Sequence, residues 1–415
     1  TLAAMTGRPS LRRLAVRGGL AVVGAQVATA AGLVAVDQAR KKDRPYKEFP
    51  RSPVTTVPVE GGELSIYSYG DDVYDAMLEA IGTSTTSVML ETFIWKDDVL
   101  GQRFKDALVA AHERGVTVHV IYDRFANLVV PQEFFRFPPG VHVKPHPVFA
   151  GGWKSISPRY SGRDHRKLLV VDDDTAFIGG YNIGALYATQ WRDTHARLTG
   201  DLVVELKNAF IDFWNLIPAK GEQPLAEVRH RTWSTTIRVH RNIPRHVVFP
   251  IRSMYLEAID RAEHHIYLTQ AYFLPDEALT RGLVKAVERG VDVQIIVPEI
   301  SNHVVADWIS RALYDTLLAG GVRILRYRNA MVHAKTATID GRWSTIGTAN
   351  LDRLSLAGNY EINIELTDKD VAARMEEIFA TDAENCAELT LEEWRSRGTV
   401  ARTVEGLLSP WRPIL

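Results

Sequence analysis

Cysteine is almost absent, with Cys386 the single one in 415 residues. No intramolecular disulfide is possible, and a cysteine-based zinc site is excluded. Fold stability therefore rests on buried apolar surface. A charge excess is missing as well: 49 Lys and Arg stand against 50 Asp and Glu, leaving a formal charge of −1. Such a balance gives no support for a nucleic-acid partner, and none is expected. Compositional bias is also lacking. Hydrophobic residues make up 46% and charged residues 24%, a globular mixture with neither a disordered nor a collagen-like signature. The length exceeds one ordinary core, so two domains are expected.

One stretch lacks charge altogether. Gly18 to Val36 holds 19 uncharged residues, with Arg8, Arg12, Arg13 and Arg17 before it and Arg40, Lys41, Lys42 and Arg44 after it. As a helix it would measure about 28 Å, close to the hydrocarbon thickness of a bilayer. Ala and Gly dominate it, so it is only weakly apolar. The leading reading is a single membrane-anchor helix. A cleaved signal peptide stays open because Ala28-Thr29-Ala30 resembles a cleavage site, and so does a buried helix. Basic residues on both flanks leave orientation ambiguous. Residues 38–60 carry Pro45, Pro50, Pro53 and Pro58 and read as a linker. The N-terminal segment is thus expected to lie outside the folded core.

Beyond it, elements alternate. Val73, Met77 and Ile81 keep helical spacing, and Ser87 to Trp95 is an apolar, β-prone run. Leu100, Phe104 and Leu108 mark a helix ending near Gly115, and Val116 to Tyr122 reads as a strand. The same order returns as a helix over 254–262, a strand over 266–273, a helix over 277–288 and a strand over 291–297. Glu113-Arg114-Gly115-Val116 reappears as Glu288-Arg289-Gly290-Val291. This pattern predicts an α/β layer, internally duplicated.

The chemistry is duplicated too. His165, Lys167 and Asp172 match His333, Lys335 and Asp340 in the pattern H-x-K-x-x-x-x-D. Gly179 and Gly347, Asn182 and Asn350, and the carboxylates Asp193 and Glu361 continue the match. Every pair is 168 residues apart.

On a strand, residues two apart share a face, so each His and Lys project together. Asp172 and Asp340 lie an odd number of residues from their histidines and point away. They read as supports for the strand end and its turn. Two His, two Lys and two Asn, joined across a pseudo-twofold axis, suit a phosphodiester. Lys167, Lys335, Asn182 and Asn350 can hold the non-bridging oxygens as charge builds. One imidazole attacks phosphorus, and the other protonates the leaving alcohol. Asp193 and Glu361 are the candidates for orienting the imidazoles. The lysines supply the electrostatic work, so no metal and no cofactor is expected.

These motifs resemble those of the phospholipase D superfamily, and its cardiolipin synthase branch in particular. The resemblance runs from about residue 60 to 395. Its specific stretches are RDHRKLLVVD, GGYNIG and WRDTHARL, then AYFLPDEAL, ERGVDVQIIVP and HAKTATIDGRWSTIGTANLDRLSLAGNYEIN. The resemblance implies two pseudo-symmetric α/β/α sandwich halves with the active site at their interface. It implies a covalent phosphatidyl-histidine, on His165 by likeness to members whose N-terminal copy is the nucleophile. The family's catalytic triplets carry over to His165, Lys167, Asp172 and to His333, Lys335, Asp340. Many such synthases carry two N-terminal membrane helices, whereas one candidate is visible here.

The expected organisation is a basic segment and anchor over 1–44, a first half over 45–232, a second half over 233–395 and an apolar tail over 396–415. The expected function is phosphatidyl transfer between glycerophospholipids, most specifically cardiolipin synthesis from two phosphatidylglycerol molecules with release of glycerol. A phospholipid hydrolase is the alternative. A phosphodiesterase or nuclease follows, and a catalytically dead lipid-binding scaffold is the reading from another class. Phospholipid, with phosphatidylglycerol favoured, and a membrane are the expected partners.

Four further features carry less specific readings. Glu91 and Tyr272, near the ends of matching strands, are candidates for the pocket wall or the core. The basic run from Arg229 to His246 reads as a solvated linker, with contact to anionic headgroups the alternative. The loop over 138–160, with Phe149 and Trp153, is a candidate bilayer contact or gate. The tail from Leu407 to Trp411 can rest on membrane or on the second half.

Overall fold

The computed structural model describes residues 11–42, 47–148, 158–217, 223–228 and 236–414. Two eight-stranded mixed sheets organise the chain. The first runs in the order Thr55–Val59, Gly62–Tyr67, His195–Gly200, Thr175–Gly179, Leu168–Val171, Ser87–Thr92, Thr117–Asp123, His142–His146. The second runs Ile237–Asn242, Glu361–Leu366, Trp343–Gly347, Lys335–Ile339, His265–Gln270, Asp292–Pro298, Arg323–Tyr327, Cys386–Leu389.

The 168-residue offset survives in the register. Gly179 pairs with His195 as Gly347 pairs with Asn363. The matched glycines share one cause. A Cβ on Gly179 would lie 2.4 Å from the Thr194 carbonyl oxygen, and one on Gly347 would lie 2.5 Å from that of Ile362. Any side chain there would push away the strand that carries the neighbouring carboxylate.

Burial follows the pattern of a layered α/β protein. Val73, Met77 and Ile81 of the helix Gly70–Thr83 pack with Phe104 and Leu108 of Val99–Glu113 on the outer face of the first sheet. Leu279 and Leu283 of Glu277–Glu288 do the same on the second. The two halves share a third core. Leu206, Phe210 and Trp214 of Val203–Leu216 belong to it together with Ile346, Ile362 and Met375 of the second half. The two sheets thus meet through a continuous apolar layer, and the ends of their central strands come together.

Several expectations need correcting. The basic run does not read out as a linker. Ile237–Asn242 is a strand paired antiparallel to Glu361–Leu366, and His240 contacts Glu365 at 2.7 Å. Apolar alternation at Ile237 and Val239 outweighed the local charge. Residues 229–235, which include the expected 232/233 boundary, lie outside the described residues, as do Phe149 and Trp153. The proline-rich stretch is partly structured: Thr55–Val59 forms the edge strand, where a missing N–H is tolerated.

The N-terminal helix, Leu11–Lys42, forms as the sequence implies. Among the described residues, however, no helix is long and apolar enough to cross a membrane. Alanine, glycine, Thr29 and Gln26 give residues 18–36 too little apolar surface. Nor does the helix stand apart from the fold. It packs against the helix Val304–Ser310 of the second half and the helix Thr399–Leu408 of the tail. The tail joins the same cluster, with Leu408 buried beside Leu274 and Ile309.

Candidate active site

Each motif histidine sits in an extended segment just ahead of its strand, and each segment is stitched to the other half. Asp164 and Tyr360 form a parallel bridge in which the His165 amide donates to the Tyr360 carbonyl at 3.1 Å. By the same geometry, Met331–Val332 pairs with Trp191–Arg192, and the His333 amide donates to the Arg192 carbonyl at 2.6 Å. Tyr360 and Arg192 immediately precede Glu361 and Asp193. Each histidine is thereby set beside the carboxylate of the opposite half.

The pairs are crossed. His165 Nδ1 lies 3.0 Å from the Glu361 carboxyl, and His333 Nδ1 lies 2.6 Å from Asp193 Oδ2. With Nδ1 engaged, Nε2 is the nitrogen left for chemistry. Lys335 Nζ sits 3.0 Å from His333 Nδ1, and Lys167 Nζ donates to the His165 carbonyl at 2.6 Å. All six groups are buried.

Burial sets the proton balance. It holds His165 well below the usual imidazole range and His333 down at about 3, with the neighbouring lysines adding to the effect. Burial also brings Lys167 down to about 7 and Lys335 to about 8. The carboxyls differ. Burial pushes Glu361 up to about 8, against the pull of Lys167. At Asp193 burial is outweighed by Lys335 and His333, and its value is lowered. Chemically equivalent sequence positions therefore carry unequal protons.

Asp172 and Asp340 are not brought to this cluster. Each stands at the far end of its strand in the left-handed region, with φ of 52° and 54°. Asp172 accepts from the amides of Thr85, Thr86 and Ser87 at 2.6, 2.8 and 2.9 Å. Asp340 accepts from those of Glu263, His264 and His265 at 2.7, 2.9 and 2.8 Å. They fasten the sheet and touch no reacting group, so the catalytic label carried over with the triplet does not fit them. The supporting role read from strand parity does.

The two asparagines diverge as well. Asn182 Oδ1 accepts from the Ile94 amide at 3.2 Å, a structural use. Asn350 lines a cavity of about 940 Å³ together with His165, and its Oδ1 has no partner. Tyr272 lines the cavity, its hydroxyl donating to Asn302 at 2.7 Å. Glu91 does not, being spent on a buried pair with Arg166 at 2.8 Å.

Sequence reasoning passed over several contributors. Phe93 meets the His165 ring edge-on with centroids 4.7 Å apart. The Thr348 hydroxyl donates to Glu361 at 2.6 Å. Arg192 pairs with Asp382 across the halves at 2.6 Å. Arg192 precedes Asp193, which offered a signal by adjacency. Phe93 and Thr348 offered none, because each contact is made inside its own half by segments that meet only when the sheet forms.

A paired, buried set of two histidines, two lysines and two carboxylates, drawn symmetrically from duplicated halves, has a counterpart among known proteins. The family model described as "Cardiolipin synthase, PLD-like domain" matches residues 77–214 and 255–383. The chain belongs to this cardiolipin synthase family. It is an enzyme of the phospholipase D superfamily, a phosphatidyltransferase acting on phospholipid. The chain is 28% identical over 368 residues to a cardiolipin synthase of Clostridium perfringens, covering 85% of this chain and 77% of that one. To the major cardiolipin synthase of Bacillus subtilis it is 29% identical over 368 residues, covering 85% and 76%. The fold is similar to that of a phosphatidylserine synthase from Haemophilus influenzae, with a TM-score of 0.66 at 14% identity over 87% of this chain and 95% of that one. At that identity the likeness speaks for the fold alone.

Proposed function

We propose that the protein makes cardiolipin from two phosphatidylglycerol molecules through a phosphatidyl group carried on His165. The observation that carries this reading is the crossed pairing of His165 with Glu361 and His333 with Asp193 around two buried lysines.

In the first step His165 Nε2 attacks phosphorus of the donor lipid. The bond from phosphorus to the headgroup glycerol oxygen breaks, and His333 delivers a proton to that oxygen. Glycerol leaves, and the phosphatidyl group stays on nitrogen. In the second step a glycerol hydroxyl of the acceptor lipid gives its proton to His333 and attacks phosphorus. The phosphorus–nitrogen bond breaks, and cardiolipin departs. Lys167 and Lys335 hold the equatorial oxygens, where preorganised positive charge stabilises the transition state. Asn350 adds a polar amide on the cavity wall. Glu361 and Asp193 orient the imidazoles and balance the charge each acquires. Assigning attack to His165 is supported by its place on the cavity wall beside Asn350.

Both substrates are bilayer lipids, so the protein works at a membrane surface. In this reading the N-terminal helix and its basic flanks help to hold it there. Quenched turnover of labelled phosphatidylglycerol tests the mechanism, with the label mapped by peptide mass under conditions that preserve phosphohistidine. Label on His165 is expected. Label on His333 reverses the roles. Fast turnover with neither histidine labelled ends the covalent mechanism. Phosphatidic acid as the main product identifies water as the acceptor instead.

A further inference from the structure

We propose that the two ends of the chain jointly roof an acyl-chain site beside His165, and that this roof favours a lipid hydroxyl over water as acceptor. The inference rests on the phosphatidyl-transfer reading above.

The cavity of about 940 Å³ is continuous with the catalytic cluster through His165 and Asn350. Away from that polar end its walls turn apolar, with Phe273, Leu274 and Val305 among them. An apolar space joined to a phosphate-binding end suits one ligand class, the acyl chain of a glycerophospholipid. The duplicated halves do not share this space equally. Most of its wall comes from the second half, so pseudo-symmetry is broken where a lipid would lie.

The roof is the notable part. Val34, Asp37 and Gln38 of the N-terminal helix line the cavity, as does Trp411 from the opposite end of the chain. One side chain ties these ends together. Gln26 Nε2 donates to the Leu407 carbonyl at 2.9 Å, and Gln26 Oε1 accepts from Trp411 Nε1 at 3.0 Å. Both ends of the amide are used, and Gln26 is only 5% exposed on a helix whose neighbours are largely exposed. Leu33, Trp308 and Leu408 close the seam beneath it.

Chemistry gives such a roof a purpose. A phosphatidyl-histidine is open to attack by any hydroxyl, and water is the most abundant one. Partition toward a lipid acceptor requires a dry wall and a site that keeps the acceptor near. Val34 and Trp411 give the roof its apolar surface, the cavity beneath holds the acceptor, and the roof lies away from the groups that make and break bonds.

The experiment compares the full chain with Gln26→Ala, with Trp411→Ala and with a chain lacking residues 1–44. Cardiolipin and phosphatidic acid are measured together from phosphatidylglycerol vesicles. The same chains are run on a short-chain, water-soluble phosphatidylglycerol, which removes any effect of membrane attachment. Opening the roof is expected to raise the ratio of phosphatidic acid to cardiolipin by about tenfold, one decade in relative barrier. The two point variants keep the test valid should the truncated chain fail to fold. An unchanged ratio in folded Gln26→Ala and Trp411→Ala overturns the roof while leaving the transfer reading intact. Failure of the unaltered protein to form either product overturns the transfer reading itself.

Discussion

His333 from the second half is bound by Asp193 from the first at 2.6 Å, a contact between residues 140 apart in sequence. Its mirror image joins His165 to Glu361 at 3.0 Å. Neither motif histidine is paired with a carboxylate of its own half. In the proposed mechanism catalysis is therefore a property of the interface, and the consequences can be measured.

The histidines should behave as one unit. His165→Ala and His333→Ala are each expected to reduce transfer by at least about 10³-fold, with the double variant little worse. Additive losses in the double variant, measured by cardiolipin formed from labelled lipid, would contradict a shared mechanism.

The lysines should matter to turnover more than to folding. Replacing Lys167 or Lys335 by Met removes one preorganised cation and should cost about 10²–10³ in rate. Thermal unfolding should hold or rise, because a buried ammonium is costly. Near-normal turnover in a folded variant would argue against the role.

The pH profile should be a narrow bell. Burial holds Lys167 at about 7 and Lys335 at about 8, so their charge is present at lower pH and lost as pH rises through those values. Burial raises Glu361 to about 8, so its carboxylate appears only as pH rises. The apparent values of kcat/KM belong to the cluster, not to one residue. Glu361→Gln should flatten the alkaline-rising component, and a profile identical to that of the unaltered enzyme would refute this assignment.

Asp172→Ala should lower stability by about 1–3 kcal/mol, the scale for a charged acceptor of backbone amides. Activity per folded molecule should barely change. Hydrogen bonds from the amides of Ser87, Thr86 and Thr85 prevail over burial and hold its folded value down at about 2. That contribution is present above the ordinary carboxylate range and is lost as pH falls through about 2. A turnover defect like that of the lysine variants would instead make Asp172 catalytic.

Turnover should survive strong chelators. Among the described residues no group of three His, Cys, Asp or Glu side chains is arranged to hold a metal ion. In the proposed mechanism the positive charge facing the phosphate comes from Lys167 and Lys335. Loss of activity in EDTA, restored by a divalent ion and not explained by vesicle surface charge, would overturn that picture.

Much of this was legible in the residues. Two copies of one motif at a fixed 168-residue offset give the duplication, the phosphodiester chemistry and the identity of the six interface groups. Strand parity separates Asp172 and Asp340 from the histidines, because side chains alternate faces along a strand. Local pattern carries such facts, since they depend on neighbours in the chain. The crossing of the pairs depends on the Asp164–Tyr360 bridge and on its mate between Val332 and Arg192, which form only when the halves dock. Asp193 and Glu361 are equally buried, and their opposite shifts follow from the neighbours that folding gives them: Lys335 and His333 hold Asp193 down, while burial prevails over Lys167 at Glu361. The N-terminal segment marks the same limit. Its missing charge suggested a membrane span, which its weak apolarity does not support, and the tertiary structure decided where it lies by seating Gln26 between Leu407 and Trp411, where its amide finds both partners.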